Sequence, residues 1–216
     1  MSKIRNSIGE LISDIAQKNS DRDALVHTEA GQRHSYQDFS HEIDRAARGF
    51  LSRGIRPGDK IALWSDNVPQ WLVAFLALAK IGAITVPIDP AAAKDNLYYI
   101  LEQSESRGLI VAGRTDSGNM IAAASAAKND IPLLEHIIVI TGSSDTDLIS
   151  WNELIAAGDN TTLDTLAKIS GAINPEDPVA IMYTSGTTGQ PKGAKRWECS
   201  TMGTPRQRKV ARRSMI

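Results

Sequence analysis

Val179-Ala180-Ile181-Met182-Tyr183-Thr184-Ser185-Gly186-Thr187-Thr188-Gly189-Gln190-Pro191-Lys192-Gly193 joins a short apolar run to a loop with three glycines, four aliphatic hydroxyls and one lysine. The apolar run has the length and composition of a buried strand. In open α/β sheets, ligands collect beyond the carboxyl ends of such strands. Glycines allow positive φ and close backbone approach, so successive N–H groups can converge on an anion. Thr184, Ser185, Thr187 and Thr188 add donors, and Lys192 adds charge. Each hydrogen bond to a charged phosphate oxygen contributes roughly 1.5–3 kcal/mol. The spacing therefore suits a polyphosphate. It is not a Walker loop: Pro191 precedes the lysine, and Gly193 stands where the magnesium-binding hydroxyl would be. A hairpin rich in Gly, Ser and Thr that binds nothing is the competing reading.

Working back from this loop, strand and helix patterns alternate. Lys60-Ile61-Ala62-Leu63-Trp64 is a strand-type run after the tight turn Arg56-Pro57-Gly58-Asp59. A helix starts at Pro69 and ends at Gly82, and a buried strand follows over 84–87. The pattern then predicts a helix over 94–104, a strand over 109–111, a helix over 119–128 and a strand over 136–140. Such alternation implies an α/β fold with a mostly parallel, helix-covered sheet. Ahead of it, Ile4, Ile8, Leu11, Ile12 and Ile15 recur at helical spacing. A strand over 24–28 turns at 29–32 and returns through Arg33-His34-Ser35. Ser35 caps a helix carrying Phe39, Ile43, Ala46, Ala47, Phe50 and Leu51 inward and stopping at Gly54. Residues 141–147 read as a surface loop, 151–155 as the start of a helix and 174–178 as the end of a polar connection.

The string Tyr183 to Gly193 resembles the signature phosphate-binding loop of the adenylate-forming (AMP-binding) superfamily, which includes acyl-CoA synthetases, luciferases and the adenylation domains of peptide synthetases. Two further segments agree in order and spacing: Ser35-Tyr36-Gln37-Asp38-Phe39, and Leu78-Ala79-Lys80-Ile81-Gly82-Ala83 running into Val86-Pro87-Ile88-Asp89-Pro90. The resemblance covers residues 1 to about 194 and leans toward the acyl-CoA synthetases through the Thr187-Thr188 pair. It implies that 1–194 form the N-terminal portion of the family's large domain. It also implies ATP, Mg2+ and coenzyme A as cofactors, and a fatty or other organic acid as the small-molecule partner. By residue-wise carry-over, Thr184, Ser185, Gly186, Thr187, Thr188, Gly189 and Lys192 would contact or shape a pocket for pyrophosphate oxygens. Lys192 is not the family's catalytic lysine, which belongs to a small C-terminal domain, so the resemblance assigns no catalytic residue and no metal ligand to this chain.

Beyond Ala194 the family pattern breaks. The family places a helix with an apolar face, and usually a histidine, after the loop, yet no histidine lies beyond His136. Residues 195–216 carry a net charge of +6, leaving −7 on 1–194. No period is visible in them, so disorder is expected. A frameshift or premature stop is the expected source of this tail, and a genuine basic segment recruiting nucleic acid or an acidic surface is the alternative. The family's later motifs are missing as well: the acidic magnesium motif, the ribose-binding aspartate and the catalytic lysine. The chain is therefore expected to be inactive alone as a ligase. A non-catalytic nucleotide-binding or interaction fragment, and a non-functional fragment with exposed sheet edges, are the other readings.

Composition agrees with a globular domain: 42% of residues are hydrophobic, and no low-complexity tract dominates. Cys199 is the only cysteine, which excludes an internal disulfide and a cysteine-rich zinc site and fits a reducing cytoplasm. His27, His34, His41 and His136 show no metal-ligand spacing. Residues 71–88 contain one charge, Lys80, but Gly82 and Pro87 divide them into a helix and a strand, so no transmembrane segment is expected. No specific nucleic-acid site is expected, and the sequence is silent on oligomeric state.

Overall fold

The computed structural model describes residues 6–29, 31–112, 120–141, 148–184 and 192–197. Helix α1 (Ile8–Lys18) opens with a capping box: the Ser7 hydroxyl accepts from the Glu10 N–H, and the Glu10 carboxylate accepts from the Ser7 N–H. The antiparallel pair β1 (Asp23–His27) and β2 (Gln32–Ser35) follows. Ser35 then caps α2 (Tyr36–Ser52) by accepting from the Asp38 N–H at 3.1 Å. All six residues expected to face inward from this helix are buried.

Strand β3 (Lys60–Trp64), helix α3 (Pro69–Lys80) and strand β4 (Ile84–Ile88) form the first parallel unit. The turns that launch its strands are joined: Gly58 (φ 87°) donates its N–H to the carbonyl of Gly82 (φ 73°) at 2.8 Å. Both positions need the left-handed conformation that glycine adopts without strain. Helix α4 (Lys94–Ser104) leads to β5 (Gly108–Val111), α5 (Met120–Asp130) to β6 (His136–Val139), and β7 (Ile149–Ser150) to α6 (Trp151–Ala157). A turn of 3-10 helix (Gly158–Asn160) and α7 (Leu163–Gly171) precede β8 (Pro178–Thr184) and β9 (Lys192–Trp197).

The larger sheet has the order β7-β6-β5-β3-β4-β8-β9, parallel throughout except for the antiparallel β8–β9 pair. Because β4 and β5 flank β3 on opposite sides, the winding reverses at β3, as in doubly wound α/β sheets. Successive side chains of a strand point to opposite faces, and the core divides accordingly. Ile61, Leu63, Ile110 and Ile138 pack with α2, α3 and α6 on one face. Ala62, Trp64, Val86, Leu109, Val111, Ile137 and Val139 pack with α4 and α5 on the other.

The expected mostly parallel, helix-covered sheet is therefore present. Three elements differ from the sequence expectation. Strand β7 lies in a stretch to which the sequence assigns no element, helix α7 lies in the polar connection that ends at 174–178, and β9 continues to Trp197, so the boundary expected at 194 falls inside a strand. Residues 198–216, and residues 142–147 of the loop expected at 141–147, lie outside the described residues. No helix among the described residues is long and apolar enough to cross a membrane.

Candidate phosphate-binding site

Strand β8 is the root of the glycine-rich loop. Val179, Ala180 and Ile181 are buried, and Ala180 is paired with Thr85 of β4. Its other side is taken by β9, in a register that sets Tyr183 opposite Gly193 and Thr184 opposite Lys192. The two ends of the glycine-rich string thus stand side by side on neighbouring strands. Of the expected site residues, Ser185, Gly186, Thr187, Thr188 and Gly189 lie outside the described residues, and Thr184 and Lys192 are described by their backbones.

Below the loop, a Cβ at Gly193 would lie 3.1 Å from Cζ of Tyr183 and 3.2 Å from Cγ2 of Ile181. Glycine at this position lets the Tyr183 ring approach β9 closely. The Tyr183 hydroxyl donates to Oε1 of Gln103 on α4. Burial, with the neighbouring Tyr99, pushes the Tyr183 hydroxyl up to about 12, so it remains a protonated donor at neutral pH. Sequence reasoning misses this pair, because a contact across 80 residues leaves no periodic trace.

The two upstream segments that carry the family resemblance serve architecture. Ser35 to Phe39 is a helix cap followed by a core residue. Lys80, 7% exposed, places its Nζ 2.5 Å from Oδ1 of Asp44 and 3.0 Å from Oγ of Ser13, pinning α1 and α2 to α3. At the carboxyl ends of β3 and β4, the Trp64 indole donates to the Asp89 carbonyl at 3.1 Å, and the Asp89 carboxylate accepts from the Ala91 N–H at 2.9 Å. These bonds fix the exit of β4 beside the end of β3.

Clefts also occur elsewhere among the described residues, one of them, of about 540 Å³, reaching Pro178 at the start of β8. Another, of about 560 Å³, is lined by His34, Glu42, Arg45, Gln70, Trp151 and Asp159, among others. Among the described residues no group of three or more His, Cys, Asp or Glu side chains could hold a metal ion.

The family model described as "AMP-binding enzyme" matches residues 12–196. The chain belongs to the AMP-binding enzyme family. Relatives in this family include the mitochondrial medium-chain acyl-CoA ligase ACSF2 of Rattus norvegicus, 30% identical over 88% of this chain and 33% of that protein. The long-chain-fatty-acid–CoA ligase FadD15 of Mycobacterium bovis is 31% identical over 73% of this chain and 25% of that protein. The chain thus spans about a third or less of the length of these relatives. Among solved structures, the anthranilate CoA ligase AuaEII in complex with anthranoyl-AMP matches 91% of the chain and 35% of its own, with TM-score 0.78 at 23% identity. Mycobacterium smegmatis MbtA matches 90% of the chain and 34% of its own, with TM-score 0.74 at 26% identity. The sheet described above is therefore the fold of the N-terminal region of adenylate-forming enzymes.

Proposed function

We propose that the chain supplies the pyrophosphate-gripping region of an ATP-dependent carboxylic acid ligase of the acyl-CoA synthetase type. The observation that carries this reading is the pairing of Thr184 with Lys192 at the end of β8, which brings both ends of the hydroxyl-and-glycine string to one point. Membership of the AMP-binding family and the acyl-CoA ligases among its relatives support it.

In the reaction, a carboxylate oxygen attacks the α-phosphorus of ATP, the bond to the bridging oxygen breaks, and pyrophosphate leaves. The thiol of coenzyme A then takes the acyl group from the adenylate and AMP departs. This chain's part is charge placement: Thr184, Ser185, Thr187, Thr188 and the loop N–H groups donate to the leaving oxygens, and the Lys192 ammonium offsets their growing charge. The loop grips only the phosphates, so the choice of acid and of acceptor thiol rests on other residues.

Titration calorimetry with Mg-ATP and with inorganic pyrophosphate tests the reading. The chain should bind both, and Lys192→Met should weaken pyrophosphate about tenfold or more, as expected for loss of a charge-assisted hydrogen bond. Carboxylate-dependent exchange of pyrophosphate into ATP should be absent for the chain alone. Folded protein that gives no heat with either ligand would overturn the proposal.

A further inference from the structure

We infer that the cleft between the end of α2 and the 3-10 turn after α6 is an anion site that takes a phosphate dianion, free or as the end of a small phosphate ester, with Arg53 and Arg56 as its cations. It is separate from the glycine-rich string and does not rest on the pyrophosphate reading. The root of that string lies at the carboxyl end of β8, whereas Arg53 and Arg56 lead into the amino end of β3, and both strands run parallel to β4. The cleft therefore opens at the opposite end of the sheet.

The cleft, of about 500 Å³, is lined by Arg53, Arg56, Asn160 and Thr161, with Leu51 and Ala157 as an apolar wall. Its lining holds two guanidiniums and no carboxylate, in a body whose residues 1–194 carry a net charge of −7. Among the described residues neither guanidinium is in a salt bridge. Arg56 is pinned by one nitrogen, its Nη1 donating to the carbonyls of Leu51 and Ile55 at 2.8 and 3.0 Å, which leaves Nη2 to a ligand. The buried Nε–H of Arg53 finds no acceptor among the described residues. Neither does that of Arg48, whose Nη1 donates to the Thr161 carbonyl at 3.2 Å on the cleft wall. These guanidiniums are short of the acceptors that buried donors ordinarily collect. The carboxylates close by are engaged elsewhere. Asp59 accepts from the Arg56 N–H at 2.8 Å and from Arg107 at 2.7 Å. Hydrogen bonds from Ser150 hold the Glu153 carboxyl below the usual carboxylate range, with Arg53 a lesser contributor. Asp159 lines the other cleft, with His34 and Glu42. Guanidiniums donate paired, parallel N–H bonds to phosphate oxygens, and two of them match a dianion. The Asn160 amide adds a donor, and the volume, typical of small-molecule sites, leaves room along Leu51 and Ala157 for the organic part of an ester.

Titrations of the chain with inorganic phosphate, followed through arginine side-chain NMR signals, test the site apart from the glycine-rich string, which contains no arginine. Arg53→Lys and Arg56→Lys assign the two signals. Both should move along one saturating curve that chloride at equal ionic strength does not reproduce and that Lys192→Met leaves unchanged. Asn160→Asp, an exposed and nearly isosteric change, sets a carboxylate among the cations. It should weaken phosphate about tenfold or more while the melting temperature holds or rises. Arg53→Gln should weaken it to a similar degree by removing a charge-assisted bond. Phenyl phosphate binding more tightly than inorganic phosphate would assign the site to a phosphate ester, and equal affinity would assign it to the free ion. Signals that never saturate, that follow chloride equally, or that answer phosphate as before in folded Asn160→Asp would overturn the proposal.

Discussion

Replacing Gly49 by alanine should destabilise this protein, although the same change in an open helix would stabilise it. Gly49 lies on the face of α2 that meets α6, where a Cβ would stand 2.3 Å from the Leu154 carbonyl oxygen and 3.0 Å from its carbon. Across the same contact, a Cβ at Gly158 would meet the Arg45 oxygen at 2.8 Å and the Gly49 nitrogen at 2.9 Å. The obstacles are backbone atoms, which cannot rotate away. Restoring van der Waals separation requires α6 to withdraw by about 1 Å. That movement would loosen Leu154, fully buried, and the edge-on contact of Phe50 with Trp151 at 6.5 Å between ring centroids. Overpacking of this kind costs about 1–3 kcal/mol, and rigid obstacles place it near the upper end. Helix propensity returns about 1 kcal/mol, leaving a net loss near 2 kcal/mol. For a chain of this size that is a fall of about 4–8 °C in melting temperature. Gly171, the last residue of α7, is the internal control: its φ is not left-handed and nothing lies within 4 Å of its Cβ position. Gly171→Ala should raise the melting temperature by about 1–4 °C. Calorimetric melts of the three proteins decide the matter, and a Gly49→Ala variant melting at or above the wild type would refute the close-contact reasoning.

Lys80→Met should leave the Asp44 carboxylate poorly solvated and unpaired, at about 3–5 kcal/mol, while pairing Lys80→Met with Asp44→Leu should recover much of the loss; urea unfolding of the full cycle measures both. Burial holds His136 below its ordinary 6.5, so below that pH the unfolded chain takes up a proton that the folded chain resists. Stability should therefore fall as pH drops from about 6.5 toward 5, and His136→Gln should flatten that slope in urea midpoints taken across the window. Ser150→Ala removes the capping box in which the Ser150 hydroxyl accepts from the Glu153 N–H at 3.2 Å and the Glu153 carboxylate from the Ser150 N–H at 2.8 Å. It should cost about 0.5–2 kcal/mol by denaturant unfolding.

The parts of the fold legible in the sequence are those with punctuation. Pro69 at the first turn of α3, Gly82 with positive φ after it, and Pro57-Gly58 before β3 give bounds that the structure reproduces to within a residue or two. Helix α7 is harder to see because its buried stripe, Leu166 with the partly buried Ile169, is short, and its neighbour Leu163 is 59% exposed. A cap is nonetheless present: the Thr162 hydroxyl accepts from the Thr165 N–H at 3.2 Å. Strand β9 gives no such clue. Lys192-Gly193-Ala194-Lys195-Arg196-Trp197 lacks apolar alternation, and it is held by backbone pairing to β8, which demands little of its side chains. Lysine-rich sequence is also usual on strands that end a sheet, where charge discourages further pairing.

The same distinction separates what could and could not be read of the site. The proposed phosphate site is legible because its hydroxyls, glycines and lysine form one string, as donors and backbone freedom must be contiguous to surround an anion. The base on which such a loop stands has no contiguous signature: Tyr183, Gly193 and Gln103 meet only once β8, β9 and α4 are folded together. Conversely, Lys80 and Asp89 carry the family resemblance but bind the chain to itself, through Asp44 and Ser13 in one case and through Trp64 and Ala91 in the other. These contacts fix α3 and the exit of β4, and β4 is the strand on which β8 is laid through Thr85. The recurrent segments therefore act at a distance, by fixing the strand that positions the root of the loop. Weakening Lys80 should therefore reach the root of the loop only through the stability of the elements that carry β4.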